Sequence, residues 1–311
     1  TITNSMANCL REFGDYFNEH KFDAILILGD RYEIYSVATA AAIFNIPIIH
    51  LHGGEQTLAN YDEFIRHAIT KMSKLHLAST EVYKNRIIQM GEYPGMVFNI
   101  GSLGAENSLL LNLPSKNNLQ EKIGFLDKQY FLVLFHPETL SLDSVSNQIE
   151  QLLMAITVFA KKYDFIFIGS NADTGSDHIR KSIQDYCHKY KFRYLESVST
   201  EEYLALNKYS LGLIGNSSSG LIEIPSLHIP TINIGNRQKG RVHGVSIINC
   251  ICEKNSIINS INDSQKLNLS NYSLSEINPY FKENAASNAL IIIRKFLNEN
   301  ISLPKKFHDI N

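Results

Sequence analysis

Short apolar runs alternate with amphipathic segments along almost the whole chain, and this alternation constrains the fold more than any other feature. The runs are continuous stretches of Ile, Leu and Phe, which is typical of strands that helices cover on both faces. Repeated strand–helix units predict parallel, doubly wound α/β sheets. The predicted strands are Ala24–Gly29, Pro47–Leu51, Leu75–Ser79, Val97–Ile100, Tyr130–Phe135, Phe165–Gly169, Arg193–Leu195, Leu211–Gly215, Thr231–Ile234 and Ser246–Cys250. The predicted helices are Ser5–His20, Glu33–Asn45, Asp62–Ser73, Glu81–Met90, Ser144–Tyr163, Asp177–Tyr190, Thr200–Asn207, Ser218–Ser226 and Ala285–Glu299.

The alternation is interrupted around Asn107–Lys128, where a Leu-Pro-Ser-Lys-Asn-Asn stretch breaks the pattern. A chain of 311 residues is long enough for two domains, each with its own core. We therefore place a domain boundary in this segment, which predicts two α/β halves.

Composition excludes several classes of protein. The chain has 29 Lys and Arg against 31 Asp and Glu, so it has no basic field for nucleic acid or a membrane surface. No apolar run approaches the roughly 18 residues that span a bilayer, and Thr1–Ser5 does not resemble a secretory signal. Four cysteines do not make a disulfide framework in a chain of this size. We predict reduced cysteines and a cytoplasmic location.

A turn rich in serine, Gly215–Gly220, follows the apolar run Leu211–Ile214. It reads as the end of a strand followed by the start of a helix, whose free N–H groups and partial positive charge favour phosphate. The hydroxyls of Ser217 and Ser218 add donors, and Glu223 could accept two sugar hydroxyls. An ordinary helix capped by serine is the alternative, and the turn alone does not decide between the two.

Polar residues also follow other predicted strands, where ligands bind in parallel sheets. They are Gly29-Asp30-Arg31, His50 to Glu55, His136-Pro137-Glu138, Gly169-Ser170-Asn171 and Gly235-Asn236-Arg237. Because these segments come from both halves, we expect them to meet in one cleft between the domains.

Carboxylates and imidazoles in these segments could perform acid–base chemistry, since burial beside other carboxylates raises a pKa. Each has a plainer alternative. Asp30 could form a surface ion pair with Arg31, and Asp62 and Glu63 could be first-turn acids of a helix. The nearness of Arg66 and His67 favours a site role for Asp62 and Glu63. Because His50 and His52 alternate along the strand, one imidazole should face the core, and His50 is favoured as the structural one.

The pair Gly53-Gly54 either lets a ligand approach the backbone or forms a simple turn. His50, His52 and Glu55 could together bind a metal ion. A cleft that binds phosphate already accounts for these residues, so we predict neither a metal nor a cofactor.

Several motifs occur in the order found in one known family. They are Gly29-Asp30-Arg31-x-Glu33, His52-Gly53-Gly54-Glu55, Asp62-Glu63-x-x-Arg66-His67-Ala68-Ile69-Thr70-Lys71, Gly101-Ser102-x-Gly104, Gly215-Asn216-Ser217-Ser218 with Glu223, and Gly235-x-Arg237-Gln238-x-Gly240-Arg241. The chain closely resembles the UDP-N-acetylglucosamine 2-epimerases, in particular the hydrolysing branch that feeds sialic-acid synthesis. The runs Arg66–Lys71 and Gly235–Arg241 match that branch more specifically than UDP-sugar enzymes at large.

The resemblance implies a glycosyltransferase-B type fold: two Rossmann-like, doubly wound parallel-sheet domains with a cleft between them. It implies an N-terminal domain over 1–112 that carries the catalytic carboxylates, and a UDP-binding domain over 113–284. A C-terminal helix within 285–311 is expected to cross back to the first domain.

The resemblance also implies a reaction in two stages. A base removes the proton at C2 while UDP leaves C1, and water then adds to the resulting 2-acetamidoglucal to release N-acetylmannosamine. The expected catalytic residues are Asp30, His52, Glu55, Asp62, Glu63 and Arg66. The expected residues for binding UDP are Arg31, His136, Asn171, Ser217, Ser218, Glu223 and Arg237. The expected partners are a UDP-sugar and further copies of the chain, as a homodimer or homotetramer.

The chain departs from the family pattern in two places. Many relatives carry a Glu where this chain has His52, which could shuttle protons or indicate a variant substrate such as a 2,4-diacetamido-trideoxy sugar on the route to legionaminic acid. Relatives also begin with a strand, a Gly-Thr-Arg type loop and further strand–helix units, so roughly the first sixty to seventy residues expected of the family are absent. A sheet without its first strands should expose an apolar edge, which favours the sequence being incomplete over a truncated form.

Two other functions remain open. A glycosyltransferase of the same fold could use the same sugar nucleotide, although the acids between His52 and Lys71 have no role in glycosyl transfer. A module that binds a UDP-sugar without turnover is the second possibility, and the departure at the N-terminus is its main support.

Overall fold

The structure is a computed structural model and describes residues 1–57, 62–124, 128–136, 138, 144–169, 176–299 and 305–309. Within these ranges, no helix is both long enough and apolar enough to cross a membrane. The strands are β1 Ile25–Leu28, β2 Ile48–Leu51, β3 Leu75–Ala78, β4 Val97–Asn99, β5 Tyr130–Leu134, β6 Asp164–Ile168, β7 Arg193–Leu195, β8 Leu213–Gly215, β9 Thr231–Ile234 and β10 Ile247–Cys250. The helices are α1 Ile2–Glu19, α2 Tyr32–Ile43, α3 Asp62–Met72, α4 Glu81–Gln89, α5 Leu103–Leu110, α6 Lys116–Ile123, α7 Val145–Phe159, α8 Ser176–Tyr190, α9 Thr200–Lys208, α10 Ser219–Ile222, α11 Lys254–Ser264, α12 Leu274–Ile277 and α13 Ala285–Asn298. Short 3₁₀ turns lie at Pro94–Met96, Ile224–Leu227 and Leu269–Asn271.

Two separate sheets confirm the predicted fold class. One sheet has the strand order β1-β2-β3-β4 and the other the order β10-β9-β8-β5-β6-β7, and the paired strands run parallel in both. Each predicted strand is present, within two residues of its predicted bounds. Continuous apolar runs are typical of strands in parallel sheets that helices cover.

The helix predictions were less complete than the strand predictions. Helices α5 and α6 occupy much of the segment that the sequence assigned to a break, on either side of Pro114. Helix α11 was missed because most of its residues are polar, although Ile257 and Ile261 lie one turn apart and are both buried.

The chain forms two compact units, which we describe separately. Unit 1 contains residues 1–103 and 282–311, and unit 2 contains residues 104–281. The units divide after Leu103, the first residue of α5, and the predicted domain boundary between 112 and 113 stays a prediction. The rest of α5 belongs to unit 2, where the hydroxyl of Ser226 donates to the carbonyl of Ala105 at 3.1 Å. The predicted cleft between the domains stays a prediction.

The two faces of the unit 1 sheet are covered by different parts of the chain. On one face Ile27 and Ile48 pack with apolar residues of α1, α2 and α3. On the other face Ile49, Leu75 and Leu77 pack with Ala289 and Phe296 of α13. Burying a side chain such as Phe296 contributes about 1.5–3 kcal/mol, so the last helix is part of the core of the first unit.

The expected apolar edge is present on β1. In the described part of the chain this strand pairs with β2 alone, and the side chains of Leu26 and Leu28 are 59% and 61% exposed. Their neighbour Ile27 points to the opposite face and is buried, as the alternation of side chains along a strand requires.

The unit 2 sheet is covered on both faces in the same way. Along β5, Phe131 and Val133 belong to one apolar cluster, while Tyr130, Leu132 and Leu134 belong to the other. The chain fills the sheet in one direction from β5 to β7 and in the opposite direction from β8 to β10. The order therefore reverses between β5 and β8, the position where doubly wound sheets bind ligands.

Gly215 ends β8 at this reversal and has a φ of 151°. A Cβ atom there would lie 1.8 Å from the carbonyl oxygen of Leu134 on the neighbouring β5. Only glycine fits this close approach of two backbones, so the glycine that stops the apolar run is required by the sheet itself.

We predict that Gly215→Ala lowers the free energy of unfolding by about 3 kcal/mol, because the added methyl group forces β5 and β8 apart. Gly14→Ala is the matched control, since a Cβ there meets nothing within 4 Å in the interior of α1. Helix propensity predicts that this control gains about 0.5–1 kcal/mol. Chemical denaturation of both variants measures the difference, and equal stability would contradict the packing argument.

Candidate active site

The guanidinium of Arg66, on α3, joins the polar segments that follow β1 and β2. Arg66 is 1% exposed. Its Nη1 donates to the carbonyl oxygen of Glu55 at 2.9 Å and to Oε2 of Glu63 at 2.8 Å. Its Nη2 donates to Oγ1 of Thr57 at 2.8 Å and to the carboxylate of Asp30. A buried arginine needs such acceptors, and here the acceptors include acids that the sequence predicted for the site. We call Asp30, Glu55, Glu63 and Arg66 the carboxylate cluster.

Glu63 is held in its ionised form. Its Oε2 also accepts the backbone N–H of Thr57 at 2.7 Å, and Nε2 of His67 lies 3.3 Å from its Oε1. Burial raises the pKa of Glu63, but the hydrogen bond from Thr57 and the charge of Arg66 outweigh burial and lower the pKa overall. The carboxylate of Glu63 is therefore ionised at neutral pH.

His52 and Glu55 form a second pair beside Arg66. Nδ1 of His52 lies 2.9 Å from Oε1 of Glu55, which also accepts the hydroxyl of Ser79 at 2.8 Å. With Glu55 ionised, Nδ1 must be the donor, which leaves Nε2 to exchange a proton. His52 has a φ of 62°, in the left-handed region that non-glycine residues rarely adopt and that occurs often at functional sites.

His50 has the structural role that its sequence position favoured. Its Nε2 lies 3.0 Å from the carbonyl oxygen of Gly29, and its Nδ1 lies 3.3 Å from the hydroxyl of Thr70. Burial lowers the pKa of His50 to about 3, so the ring is neutral. It ties the end of β1 to β2 and α3. Among the described residues, no group of three His, Cys, Asp or Glu side chains could hold a metal ion.

The pair Gly53-Gly54 packs against protein. Gly54 has a φ of 75°, and a Cβ there would lie 2.5 Å from the carbonyl oxygen of Tyr83 on α4. Arg86 of the same helix donates to the carbonyl oxygen of Gly54 at 2.5 Å. These glycines therefore let α4 close on the loop that carries His52 and Glu55.

Arg31 and Asp62 lie at the margin of this cluster. Asp30 pairs with Arg66, whereas Arg31 pairs with Glu33 at 3.0 Å on the surface. The alternative that Asp30 pairs with Arg31 is therefore wrong. Asp62 is the first residue of α3 and is half-buried, one position before Glu63. Catalysis by Asp62 and nucleotide binding by Arg31 stay predictions.

In unit 2, the side chain of Asn216 joins the ends of β5, β8 and β9. Its Oδ1 accepts the backbone N–H of His136 at 2.8 Å, and its Nδ2 donates to the carbonyl oxygen of His136 at 2.9 Å. The carbonyl oxygen of Asn216 accepts Nη1 of Arg237 at 3.0 Å and Nε2 of Gln238 at 2.8 Å. Three predicted segments therefore meet at the reversal of strand order.

The imidazole of His136 is neutral. Burial and then the charge of Arg237 lower its pKa to about 3. Its Nδ1 is buried and has no hydrogen-bond partner among the described residues. His136 can therefore supply a neutral hydrogen-bonding group, while Arg237 supplies positive charge.

The helix predicted over Ser218–Ser226 is wrong in length. The α-helical part is Ser219–Ile222, and the 3₁₀ turn Ile224–Leu227 follows it. Pro225 explains the change, because it has no N–H and its ring clashes with the carbonyl four residues earlier. Such a short helix has a smaller dipole than we assumed from the sequence, so hydroxyl and guanidinium donors must carry more of any phosphate binding.

The serine turn, Gly215–Ser219, has its hydroxyl groups close together. Oγ of Ser217 lies 3.0 Å from Oγ of Ser219, which lies 2.7 Å from the hydroxyl of Tyr203. Ser218 is the residue before α10, and its side chain makes no cap hydrogen bond. Glu223 lies beside Gly104, where a Cβ would come within 2.8 Å of its Oε1. The predicted Asn171 lies outside the described residues.

Sequence reasoning missed Ser79 and Thr57, and it named Glu138 among the polar residues after a strand without giving it a role. Ser79 directly follows β3, so the rule used for other strand ends could have found it. Glu138 follows β5, and its Oε1 accepts the backbone N–H groups of Asn236 and Arg237 at 2.8 and 2.9 Å. Thr57 bonds to both Arg66 and Glu63, and nothing in its local sequence indicates this.

A family model described as UDP-N-acetylglucosamine 2-epimerase matches residues 1–294. The chain is similar to "Polysialic acid biosynthesis protein P7" of Escherichia coli, with 61% identity over 309 residues, 99% of this chain and 79% of the relative. It is also similar to the "GDP/UDP-N,N'-diacetylbacillosamine 2-epimerase (hydrolyzing)" of Campylobacter jejuni, with 41% identity over 251 residues, 80% of this chain and 65% of the relative.

The fold is similar to that of a solved structure, the UDP-GlcNAc 2-epimerase of Methanocaldococcus jannaschii in complex with UDP-GlcNAc and UDP. The TM-score is 0.77 with 18% identity, over 95% of this chain and 82% of the other. At this identity, the likeness supports the fold.

We predict that Arg66→Met lowers the free energy of unfolding by about 3 kcal/mol, because it leaves the partly buried carboxylates of Asp30 and Glu63 without their buried cation. Arg31→Met is the matched control and should cost less than about 1 kcal/mol, since its ion pair with Glu33 is at the surface. Urea denaturation measures both variants. Similar losses in the two would show that Arg66 does not hold unit 1 together.

Proposed function

Because the chain belongs to the UDP-N-acetylglucosamine 2-epimerase family, we propose that it is a hydrolysing epimerase that converts UDP-N-acetylglucosamine into UDP and free N-acetylmannosamine. It is an enzyme of that family, and the choice of reaction within the family is our proposal. The observation that carries the proposal is the carboxylate cluster, in which Arg66 holds two acids beside the His52–Glu55 pair. The name of the Escherichia coli relative, which refers to polysialic acid, supports N-acetylmannosamine as the product.

The first stage is an elimination. Asp30, held by Arg66 at the end of β1, takes the proton from C2 of the sugar. The C–H electron pair forms the C1–C2 double bond, and the bond between C1 and the diphosphate oxygen breaks. Charge then develops on the leaving diphosphate, and stabilising such charge is a large contribution to catalysis. Arg237 and the hydroxyls of Ser217 and Ser218 are the proposed donors to that diphosphate, with His136 as a neutral partner and Glu223 on the ribose.

The second stage adds water to the 2-acetamidoglucal. Glu63, an ionised carboxylate beside Arg66, takes a proton from water, and the hydroxide bonds to C1. Nε2 of His52, after taking up a proton from solvent, gives that proton to C2 on the opposite face, which inverts that centre. Glu55 stabilises the imidazole through its bond to Nδ1. Asp62, at the start of α3, is a further acid for proton exchange with solvent.

A second substrate is supported by the names of two relatives, from Campylobacter jejuni and Legionella pneumophila. The Campylobacter jejuni relative is named for a UDP-linked diacetamido sugar, and His52 stands where many family members carry Glu. We favour N-acetylglucosamine because the relative with 61% identity is named for polysialic acid. Incubation with UDP-N-acetylglucosamine and with its 2,4-diacetamido analogue, followed by NMR of the products, decides between them. Faster release of UDP from the analogue would contradict our choice.

We expect hydrolysis to leave an isotopic signature. In heavy water, removal of the C2 proton and addition of water place one deuterium at C2 of the free sugar. In water enriched in oxygen-18, the label enters the C1 hydroxyl and not UDP, because the C1–O bond breaks. Mass spectrometry and NMR of the products measure both labels. An intact UDP-linked epimer, or free sugar without deuterium at C2, would overturn the proposal, and a requirement for a sugar acceptor would favour a glycosyltransferase.

We predict that Asp30→Asn and Asp62→Asn each lower kcat by about a hundredfold or more, the usual scale for general acid–base groups. The affinity for UDP should stay nearly unchanged, because these residues act on the sugar. Asp15→Asn, on the exposed surface of α1, is the control. Steady-state release of UDP and calorimetric titration with UDP test this, and rates near that of the parent enzyme would remove both acids from the mechanism.

A further inference from the structure

Residues Lys305–Asp309, which we call the C-terminal strap, pack on unit 1 at the end of α3 and on the loop after α4. The backbone N–H of His308 donates to the carbonyl oxygen of Gly91 at 2.9 Å. The ring of Phe307 lies 4.8 Å from Nζ of Lys71 and covers Gly91. The strap therefore has a defined position beside the last turn of α3.

Lys305 enters a buried charge cluster on this surface. The carboxylate of Glu92 is 1% exposed and accepts Nζ of Lys71 at 2.7 Å, Nε2 of His76 at 2.9 Å and Nζ of Lys305. Burial raises the pKa of Glu92, but the bonds from His76, Lys305 and Lys71 lower it to about 2. A carboxylate buried in this way requires its cations. The ion pair between Lys305 and Glu92 therefore holds the strap in addition to its apolar contacts.

The same ammonium group caps helix α3. Nζ of Lys305 donates to the carbonyl oxygen of Lys71 at 2.8 Å and to that of Thr70 at 3.3 Å. These are among the last carbonyls of the helix and carry partial negative charge. The carbonyl oxygen of Thr70 also accepts the backbone N–H of Ser73 at 3.1 Å. Lys305 thus links the end of α3 to Glu92.

Thr70 connects this capped end to the carboxylate cluster. Its hydroxyl donates to the carbonyl oxygen of Arg66 at 3.0 Å and lies 3.3 Å from Nδ1 of His50. Glu63 and Arg66 lie on the same helix, toward its start. A shift of the capped end would therefore move Arg66 relative to Asp30.

We propose that Lys305 is a positioning residue for catalysis: by fixing the end of α3, it sets the placement of Glu63 and Arg66 against Asp30. The inference rests on the proposed function, since it assigns these residues to the reaction. Lys305 touches no reacting group and acts through the helix.

The test compares Lys305→Met with Lys306→Met, because Lys306 is the adjacent lysine and is exposed. Misplacing catalytic groups by a fraction of an ångström reduces turnover strongly, so we expect kcat of Lys305→Met to fall about tenfold or more with KM changed less than about twofold. Lys305→Arg, which keeps the charge and the donors, should recover much of kcat. Lys306→Met should match the parent enzyme in both constants.

Hydrogen exchange provides a measurement that does not depend on activity. Amides in the last turn of α3 should exchange faster in Lys305→Met than in Lys306→Met, while those of α1 should not differ. If Lys305→Met does not fold, Lys305→Gln replaces it in both measurements. Unchanged kcat and unchanged exchange in α3 would overturn the inference, as would equal loss in Lys305→Arg and Lys305→Met.

The two proposals can fail separately. A parent enzyme that releases no UDP from either sugar nucleotide contradicts the proposed function, and exchange in α3 still tests the anchoring by Lys305. An active parent enzyme whose Lys305→Met variant keeps kcat contradicts the positioning role alone.

Discussion

Unit 1 depends on the burial of one guanidinium. Taking Arg66 out of water is unfavourable unless its N–H groups find acceptors, and these acceptors come from the loops after β1 and β2 and from its own helix. The position of Asp30 and the path of the loop through Glu55 and Thr57 follow from this requirement. The left-handed backbone of His52 is maintained by the same surroundings. Charge pairing, more than apolar packing, therefore fixes where the acids lie.

Unit 2 meets a similar requirement with a neutral group. The amide side chain of Asn216 satisfies both backbone groups of His136, and its own carbonyl oxygen accepts Arg237. This arrangement leaves the guanidinium as the local positive charge while the imidazole stays neutral. The guanidinium is thus a positive group beside a neutral imidazole. The carboxylate of Glu138 lies at the same junction, where its Oε1 accepts the backbone N–H groups of Asn236 and Arg237.

Much of this could be predicted from the sequence, and the omissions have physical causes. The apolar runs identified each strand, and the polar residues after the strands identified Asp30, Glu55 and His136, because topology puts such residues on one edge. The partner of Asp30 could not be found locally, since Arg66 lies 36 residues away and is chosen by tertiary packing. The length of α10 was misjudged because the effect of Pro225 was overlooked.

Lys305 illustrates a different limit. Nothing in the sequence around it distinguishes it from Lys306, and its role appears only when Glu92 and the end of α3 are in place. The sequence indicated Gly54 as a special backbone position, either for a ligand or for a turn, and the structure shows that α4 lies against it. Local sequence thus indicates that a position is constrained, whereas tertiary structure determines what constrains it.

The place of α13 has a consequence for synthesis of the protein. The face of the first sheet formed by Ile49, Leu75 and Leu77 is completed by Ala289 and Phe296, which follow the whole of unit 2 in the chain. Domains generally fold as they leave the ribosome, N-terminal parts first. Here one apolar face of the first sheet stays uncovered until the second unit and α13 have been translated. Ribosome-bound chains that end before residue 285 therefore expose this apolar surface. The time needed to translate unit 2 is the interval in which a chaperone would bind it.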